Sequence, residues 1–129
     1  MSTIVLDGES LTLDKAVSAL NPSVSIKLSP QSKRNIRQTR AVIETAVHER
    51  KIVYGVTTGF GAFSNVIISR SKCRLLQENI VRSHAAGVGL PLPDDIVRLI
   101  MLLMVNSKAK GYSGLRLSTV ETLLGLIQR

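Results

Sequence analysis

The sequence is poor in aromatic residues and in cysteine. It contains no tryptophan, and phenylalanine and tyrosine together supply only 3% of its 129 residues. A core built on large rings is therefore excluded, and Leu, Ile, Val and Ala must fill the interior. The single cysteine, Cys73, has no second cysteine with which to form an intramolecular disulfide. Since a lone thiol fits a reducing compartment, we expect the protein in the cytoplasm.

Long hydrophobic runs are also missing. The longest apolar run covers residues 99–105, far short of the ~20 residues that a helix needs to cross a bilayer. The N-terminus, "MSTIVLDGES", lacks the basic start, the apolar stretch and the cleavage signature of a secretory signal. We therefore predict no membrane-spanning segment and no membrane partner.

Acidic residues are scarce relative to basic ones. The sequence has 17 Lys and Arg against 9 Asp and Glu, which gives a formal net charge of +8 and an isoelectric point near 10.3. Such an excess suits a nucleic acid or an anionic ligand. However, the basic residues are spread along the chain and do not alternate with aromatic residues that could stack on bases. We predict a solvated or subunit-facing basic surface and no nucleic-acid partner.

The pattern of apolar residues and turn signals predicts a mainly helical fold with a few short β-strands near the N-terminus. "TIVLDG" and "SVSIKLS" alternate apolar and polar residues and are bounded by turn residues, so both are predicted strands. Ser29 and Pro30 mark the start of a helix, and Gly111 closes a later helix that Pro93 opens. The predicted helices are "TLDKAVSALN", residues 29–50, residues 69–86, residues 93–110 and "GLRLSTVETLLGLIQR".

The chain length and the last two predicted helices indicate how the domain is organised. One domain covering residues 1–129 is the default for a chain of this size. The fourth predicted helix contains "IMLLMVN", which is apolar nearly all round and indicates a helix covered on most sides. The last predicted helix reaches Arg129 without a Gly, Asn or Pro to end it. We therefore expect the sequence to be the front part of a longer protein.

Residues 53–64, "VYGVTTGFGAFS", form a glycine-rich loop without a helical period. Its glycines follow the spacing G-x-x-x-G-x-G, which is neither the dinucleotide fingerprint nor a P-loop, so phosphate binding is not predicted. The glycines let the backbone approach a ligand or let the loop change conformation. From spacing alone, Tyr54 has two interpretations: an anchor ring, or a phenol that accepts or donates a proton.

His84, in "RSHAAGVG", is the second candidate for a functional side chain. It lies on a predicted helix, beside small residues at a glycine-rich helix end. The sequence alone leaves open whether it contacts a bound molecule or is satisfied by a backbone carbonyl. His48 lies on the hydrated side of its helix, where no special role is expected. Two histidines and one cysteine this far apart predict no metal site.

Three longer stretches carry a resemblance to a known family. "VYGVTTGFG", "LLQENIVRSHAAGVGLPLP" and "VRLIMLLMVNSKAKGYSGLR", in this order and at these distances, resemble the N-terminal part of the aromatic amino acid ammonia-lyases, most of all their histidine-using members. The resemblance implies the N-terminal domain of a fumarase/aspartase-like helical fold in a longer enzyme assembled as a homotetramer. Such carbon–nitrogen lyases eliminate ammonia from an aromatic amino acid. The implied substrate is L-histidine, converted to trans-urocanate in histidine catabolism.

The same resemblance implies roles for four residues. Tyr54 matches the general base on a lid loop at about residues 53–66, and Gly61 matches a glycine beside the bound substrate. His84 matches the position that contacts the substrate's side chain, and the pair Ser83-His84 resembles the histidine-using members, so both residues are expected to bind the substrate. Phenylalanine- and tyrosine-using members tend to place a leucine where His84 stands.

Two features of the sequence depart from that pattern. The residue pair Val56-Thr57 is more usual in the phenylalanine and tyrosine ammonia-lyases and related aminomutases. These enzymes therefore stay as alternatives. The family's electrophile, a methylidene-imidazolone ring, forms from an internal Ala-Ser-Gly, and no such triplet occurs in these 129 residues. We expect the chain alone to be inactive as a lyase. A further alternative is a short non-catalytic protein of this fold that acts as a binding or assembly module.

Overall fold

The computed structural model of the chain describes residues 2–59, 61 and 68–128, and it is mainly helical with two short strands near the N-terminus. This architecture and the order of its elements confirm the sequence prediction. The described elements are β1 (Thr3–Leu6), α1 (Leu13–Ser18), β2 (Ser25–Leu28), α2 (Pro30–His48), α3 (Arg70–His84), α4 (Asp94–Ala109) and α5 (Leu117–Ile127).

The two strands form a small parallel sheet. Thr3 pairs with Ser25 at one end of the register and Leu6 pairs with Leu28 at the other. Side chains alternate between exposed and buried along β1, as expected for a sheet with one face on a core. The short helix α1 lies in the connection between the two strands, because parallel neighbours need a crossover rather than a hairpin.

The residues that predicted helix ends lie at the ends of helices in the structure. The Ser29 side-chain oxygen accepts a hydrogen bond from the backbone N–H of Ser32 at 3.0 Å, and Pro30 is the first residue of α2. Asp94 and Asp95 occupy the first turn of α4, where negative charge is favoured by the helix dipole. Gly111 follows α4 with φ of +83°, a conformation that glycine adopts without a steric penalty.

Packing divides the chain into two compact units. Unit 1 consists of the residues up to Val42 together with those from Pro91 onward, and unit 2 consists of Ile43–Leu90. Unit 1 therefore contains the sheet, α1, α4 and α5, and unit 2 contains α3. The residues of α2 are shared between them. The assignment of residues 1–129 to a single domain stays a prediction.

The core of unit 1 is aliphatic, as the scarcity of aromatic residues requires. It joins the buried side of the sheet to one face each of α1, α2, α4 and α5. Its members are Ile4, Leu6, Ala16, Ala19, Ile26, Leu28, Ile36, Leu102, Val105, Ala109, Val120, Leu124 and Ile127. At its edge, the side-chain amide of Gln128 donates to the carbonyl oxygen of Ile26 at 2.9 Å.

Among the described residues, the helix α4 is buried on one face only, so a helix covered on most sides stays a prediction for the longer protein. Leu102, Val105 and Ala109 are buried, whereas Ile100 and Leu103 are about half exposed. The sequence shows that a residue is apolar but not which element covers it. Across the described ranges, no helix combines the length and the apolar character needed to cross a membrane.

Candidate functional site

Tyr54 lies on a turn that follows α2. Arg50, with φ of +54°, breaks the helical path, and the backbone N–H groups of Val56 and Thr57 both donate to the carbonyl oxygen of Val53 at 3.0 Å. These bonds close a turn whose second residue is Tyr54. The residue is 62% exposed. Tyr54 is therefore an exposed residue on a turn of unit 2.

The hydroxyl of Thr57 stabilises this turn through two hydrogen bonds to the backbone. It donates to the carbonyl oxygen of Lys51 at 2.6 Å and accepts from the backbone N–H of Val53 at 2.9 Å. Thr57 and Thr58 are buried. The carbonyl oxygen of Thr57 accepts a hydrogen bond from the backbone N–H of Ile68 at 3.0 Å. This hydrogen bond joins Thr57, inside the glycine-rich loop, to Ile68, which follows the loop.

The lid loop predicted at about residues 53–66 is described only in part. Phe60 and residues 62–67 lie outside the described residues. Gly61 is described, with φ of +56° and an exposed position. A Cβ atom built on Gly61 would meet no heavy atom within 4 Å. A side chain at this position would therefore be disfavoured by backbone strain rather than by a contact within the described part of the chain.

His84 is the last residue of α3, and its imidazole is tied to the helix that carries it. Its Nδ1 atom lies 2.8 Å from the carbonyl oxygen of Ile80 and 3.1 Å from the hydroxyl oxygen of Ser83. The hydroxyl of Ser83 in turn donates to the carbonyl oxygen of Ile80 at 2.9 Å. Both Ser83 and His84 are exposed, as are all residues from there to Pro93.

The four predicted site residues share one unit. Tyr54, Gly61, Ser83 and His84 all fall within unit 2 and are all exposed. Only Ser83 and His84 contact each other through a described hydrogen bond. The hydrogen bonds of His84 to described residues stay inside α3, so none of them joins it to Tyr54.

Sequence reasoning missed two groups of this site, the hydroxyl of Thr57 and the carbonyl of Ile80. A threonine inside a glycine-rich turn is a known local hydrogen-bonding signal, and it was available in "VTTG". A hydroxyl near a helix C-terminus that bonds back three residues is a second such signal. Neither signal fixes which backbone group becomes the partner.

No cluster of three metal-ligating side chains occurs among the described residues. Among the cavities lined by described residues, one of about 400 Å³ lies beside the sheet and one of about 210 Å³ lies near the start of α2, both in unit 1. Neither is lined by a predicted site residue. The phenol-bearing Tyr54 and the imidazole-bearing His84 are both exposed residues of unit 2.

Comparison with known proteins places these observations in a family. The family model described as aromatic amino acid lyase matches residues 11–129. The histidine ammonia-lyase of Alkaliphilus oremlandii is 47% identical over 129 residues, which cover all of this chain and 25% of that protein. The histidine ammonia-lyase of Streptococcus gordonii is 47% identical over 126 residues. The chain spans about a quarter of the length of the relatives that it matches.

Solved structures agree on the fold. The crystal structure of histidine ammonia-lyase from Trypanosoma cruzi superposes with a TM-score of 0.87 at 38% identity, over 98% of this chain and 24% of that one. Tyrosine aminomutase from Streptomyces globisporus superposes with a TM-score of 0.90 at 31% identity, also over 98% and 24%. The sequence resemblance and the fumarase/aspartase-like fold are both confirmed. The chain belongs to the aromatic amino acid lyase family.

Proposed function

We propose that this chain is the N-terminal part of a carbon–nitrogen lyase that eliminates ammonia from L-histidine and forms trans-urocanate. The observation that carries the proposal is the 47% identity to a histidine ammonia-lyase over all 129 residues. The exposed imidazole of His84 at the end of α3 supports it, because a polar ring suits a polar substrate side chain.

Tyr54 is the general base in this proposal. It accepts the proton that must leave the carbon beside the substrate's ring. A phenol accepts a proton in its ionised form, which nearby cations or hydrogen-bond donors favour. A position on an exposed turn suits a group that has to meet the substrate, exclude water and then release product. The anchoring of the turn by Thr57 supports this role, since a base has to be held in one geometry.

Gly61 and His84 bind the substrate in this proposal. Gly61 has no side chain and its surroundings in the described structure are open, so the backbone can approach the substrate closely. His84 contacts the polar side chain of the substrate. A phenyl ring would leave the imidazole without a hydrogen-bond partner, which disfavours L-phenylalanine.

The family's electrophile does not fit the residues present. A methylidene-imidazolone ring requires an internal Ala-Ser-Gly, and the 129 residues contain none. The nearest string is Tyr112-Ser113-Gly114, in which Ser113 follows a tyrosine. We therefore expect the chain alone to show no lyase activity, and no metal enters the proposal. Homotetrameric assembly and location in the cytoplasm stay predictions for the whole protein.

An enzyme that acts on L-tyrosine is the second candidate. The residue pair Val56-Thr57 favours it, since this pair is more usual in the phenylalanine and tyrosine enzymes, and a tyrosine aminomutase is 31% identical to this chain. A phenol carries a hydroxyl that can pair with His84, so the polar contact alone does not separate tyrosine from histidine.

The test is the activity of the whole reading frame that contains these residues. L-histidine, L-tyrosine and L-phenylalanine are supplied separately, and the conjugated products are followed by ultraviolet absorbance. We expect turnover of L-histidine that falls at least a hundredfold in Tyr54→Phe, the order of magnitude of a lost general base. His48→Phe is the matched surface control and keeps activity. Turnover of L-tyrosine alone supports the second candidate, and turnover of none of the three overturns the proposal.

A further inference from the structure

The end of α3 fixes the position of a proton on His84. A carbonyl oxygen only accepts hydrogen bonds, and the carbonyl oxygen of Ile80 lies 2.8 Å from Nδ1 of His84. An unprotonated Nδ1 would place two acceptors against each other at that distance. Nδ1 therefore carries the proton, and this N–H group donates a hydrogen bond to the carbonyl oxygen of Ile80.

Ser83 adds a second contact to the same nitrogen. Its hydroxyl donates to the carbonyl oxygen of Ile80 at 2.9 Å, so its own oxygen is left as an acceptor. That oxygen lies 3.1 Å from Nδ1 of His84. The Nδ1–H group is consequently shared between two acceptors, and the hydroxyl of Ser83 is occupied within α3.

The other ring nitrogen faces outward. The hydrogen bonds of His84 to described residues all use Nδ1, and the residue is exposed. In a neutral imidazole with the proton on Nδ1, the Nε2 atom is a hydrogen-bond acceptor. In its neutral form, His84 thus offers an acceptor at Nε2, and not a donor, to a group that binds at the end of α3.

We propose that Ser83 is a positioning residue: together with the Ile80 carbonyl it holds His84 as the Nδ1–H tautomer, so that Nε2 accepts a hydrogen bond from a ring N–H or O–H of the substrate. The identity of that substrate rests on the proposed function, but the tautomer does not. An acceptor at this position selects the imidazole of L-histidine or the phenol of L-tyrosine. The ring of L-phenylalanine has no donor to offer and is rejected.

The first test reads the tautomer directly from a long-range ¹H–¹⁵N spectrum of the ¹⁵N-labelled 129-residue chain. Only two histidines contribute, and His48 is an exposed residue at the end of α2. At a pH at which free imidazole is neutral, we expect the proton on Nδ1 in His84. His48 is the internal reference and should show mainly the Nε2–H form that neutral histidine favours in water. A His84 signal with the proton on Nε2 overturns the proposal.

Two variants separate the contribution of Ser83 from that of Ile80. Ser83→Ala removes the hydroxyl, and we expect the His84 pattern to move toward that of His48. Ser83→Thr keeps a hydroxyl that can bond back to the same carbonyl, and we expect the wild-type pattern. An unchanged His84 pattern in Ser83→Ala overturns the positioning role. If Ser83→Ala does not fold, the wild-type and Ser83→Thr spectra still decide the tautomer.

The second test uses the whole enzyme with L-histidine. We expect Ser83→Ala to raise KM roughly threefold to tenfold, about the worth of one hydrogen bond, with kcat nearly unchanged. Ser83→Thr should restore KM. A fall in kcat at constant KM contradicts a positioning role in substrate recognition. An enzyme that does not turn over L-histidine refutes the proposed function, whereas the spectrum of the 129-residue chain still tests the tautomer independently.

Discussion

The hydroxyl oxygen of Thr57 lies 2.6 Å from the carbonyl oxygen of Lys51 and 2.9 Å from the backbone nitrogen of Val53. One side chain therefore satisfies a backbone acceptor and a backbone donor at the base of the turn that carries Tyr54. Because Thr57 is buried, water cannot readily replace either bond. The backbone on the N-terminal side of Tyr54 is held by this contact.

Thr57→Val removes both hydrogen bonds while keeping the branched shape of the side chain. We expect a local loss of about 1–3 kcal/mol, because two backbone groups lose their partner. The readout is amide hydrogen exchange at Val53, which should lose its protection in Thr57→Val. Thr57→Ser keeps the hydroxyl and serves as the matched control. Protection of Val53 that survives in Thr57→Val would show that the turn is held by its backbone bonds alone.

Gly111 allows α2 and the end of α4 to approach closely. A Cβ atom at Gly111 would lie 2.5 Å from Cβ of Asn35 and 2.9 Å from its carbonyl carbon, and φ of Gly111 is +83°. Nearby, the hydroxyl of Thr39 donates to the carbonyl oxygen of Gly111. We expect Gly111→Ala to lower the free energy of unfolding by about 1–3 kcal/mol, from overpacking and backbone strain.

Gly125 provides the matched control for that substitution. It lies inside α5, and a Cβ atom there would meet nothing within 4 Å. Gly125→Ala should therefore stabilise the chain by about 0.5–1 kcal/mol through helix propensity. Urea denaturation followed by circular dichroism measures both variants. Equal midpoints for the two would contradict the close approach of Asn35 to Gly111.

Local signals explain why much of the fold was predictable. Ser29 and Pro30 identify the start of α2 because the cap satisfies orphan N–H groups of the first turn. Gly111 identifies the end of α4 because few other residues accept its backbone conformation. Such rules involve only neighbours along the chain, so they can be read from the sequence.

The partners of individual side chains and the elements that cover a helix were not predictable in the same way. The sequence placed Tyr54 on a loop, but it could not show that Thr57 bonds to Lys51, because a hydroxyl can pair with many backbone groups. Likewise, helical periodicity identifies the apolar residues of α4 but not the elements that cover them. The roles of Tyr54 and His84 came from the family resemblance, and they stay predictions.

The exposed side of α4 bears on association of the 129-residue chain. Five large apolar residues at helical spacing share that side, with exposed fractions between 38% and 55%: Ile96, Val97, Ile100, Leu103 and Met104. A contiguous apolar face of this kind favours association. We expect the chain to form oligomers and to bind a hydrophobic dye, as measured by light scattering and fluorescence.

A charge at the centre of that face should oppose the association. We expect Ile100→Lys to shift the chain toward the monomer and to reduce dye binding. Val42→Lys is the matched control, because Val42 is an exposed apolar residue on α2, and it should leave the oligomeric state unchanged. A wild-type chain that is already monomeric and binds no dye would refute this prediction.

The carboxylate of Asp7 makes stability depend on pH at the end of β1. Hydrogen bonds from the backbone N–H groups of Ser10 and Glu9, both at 2.8 Å, lower the pKa of Asp7 from 3.8 to about 2. The folded state thus favours the ionised carboxylate more than the unfolded state does. The resulting stabilisation is fully present above pH 3.8 and is lost as the pH falls toward 2.

Asp7→Asn tests this dependence, because the amide oxygen can still accept both N–H groups but carries no charge. At neutral pH, we expect the variant to be less stable than the wild type, since charge-assisted hydrogen bonds are the stronger ones. As the pH is lowered from 5 to 2, the two free energies of unfolding should converge, because Asp7 is progressively protonated in the wild type. Urea denaturation at a series of pH values measures the difference, in which the contributions of the other carboxylates cancel. A difference that stays constant over this range would show that Asp7 does not titrate as its contacts with Ser10 and Glu9 require.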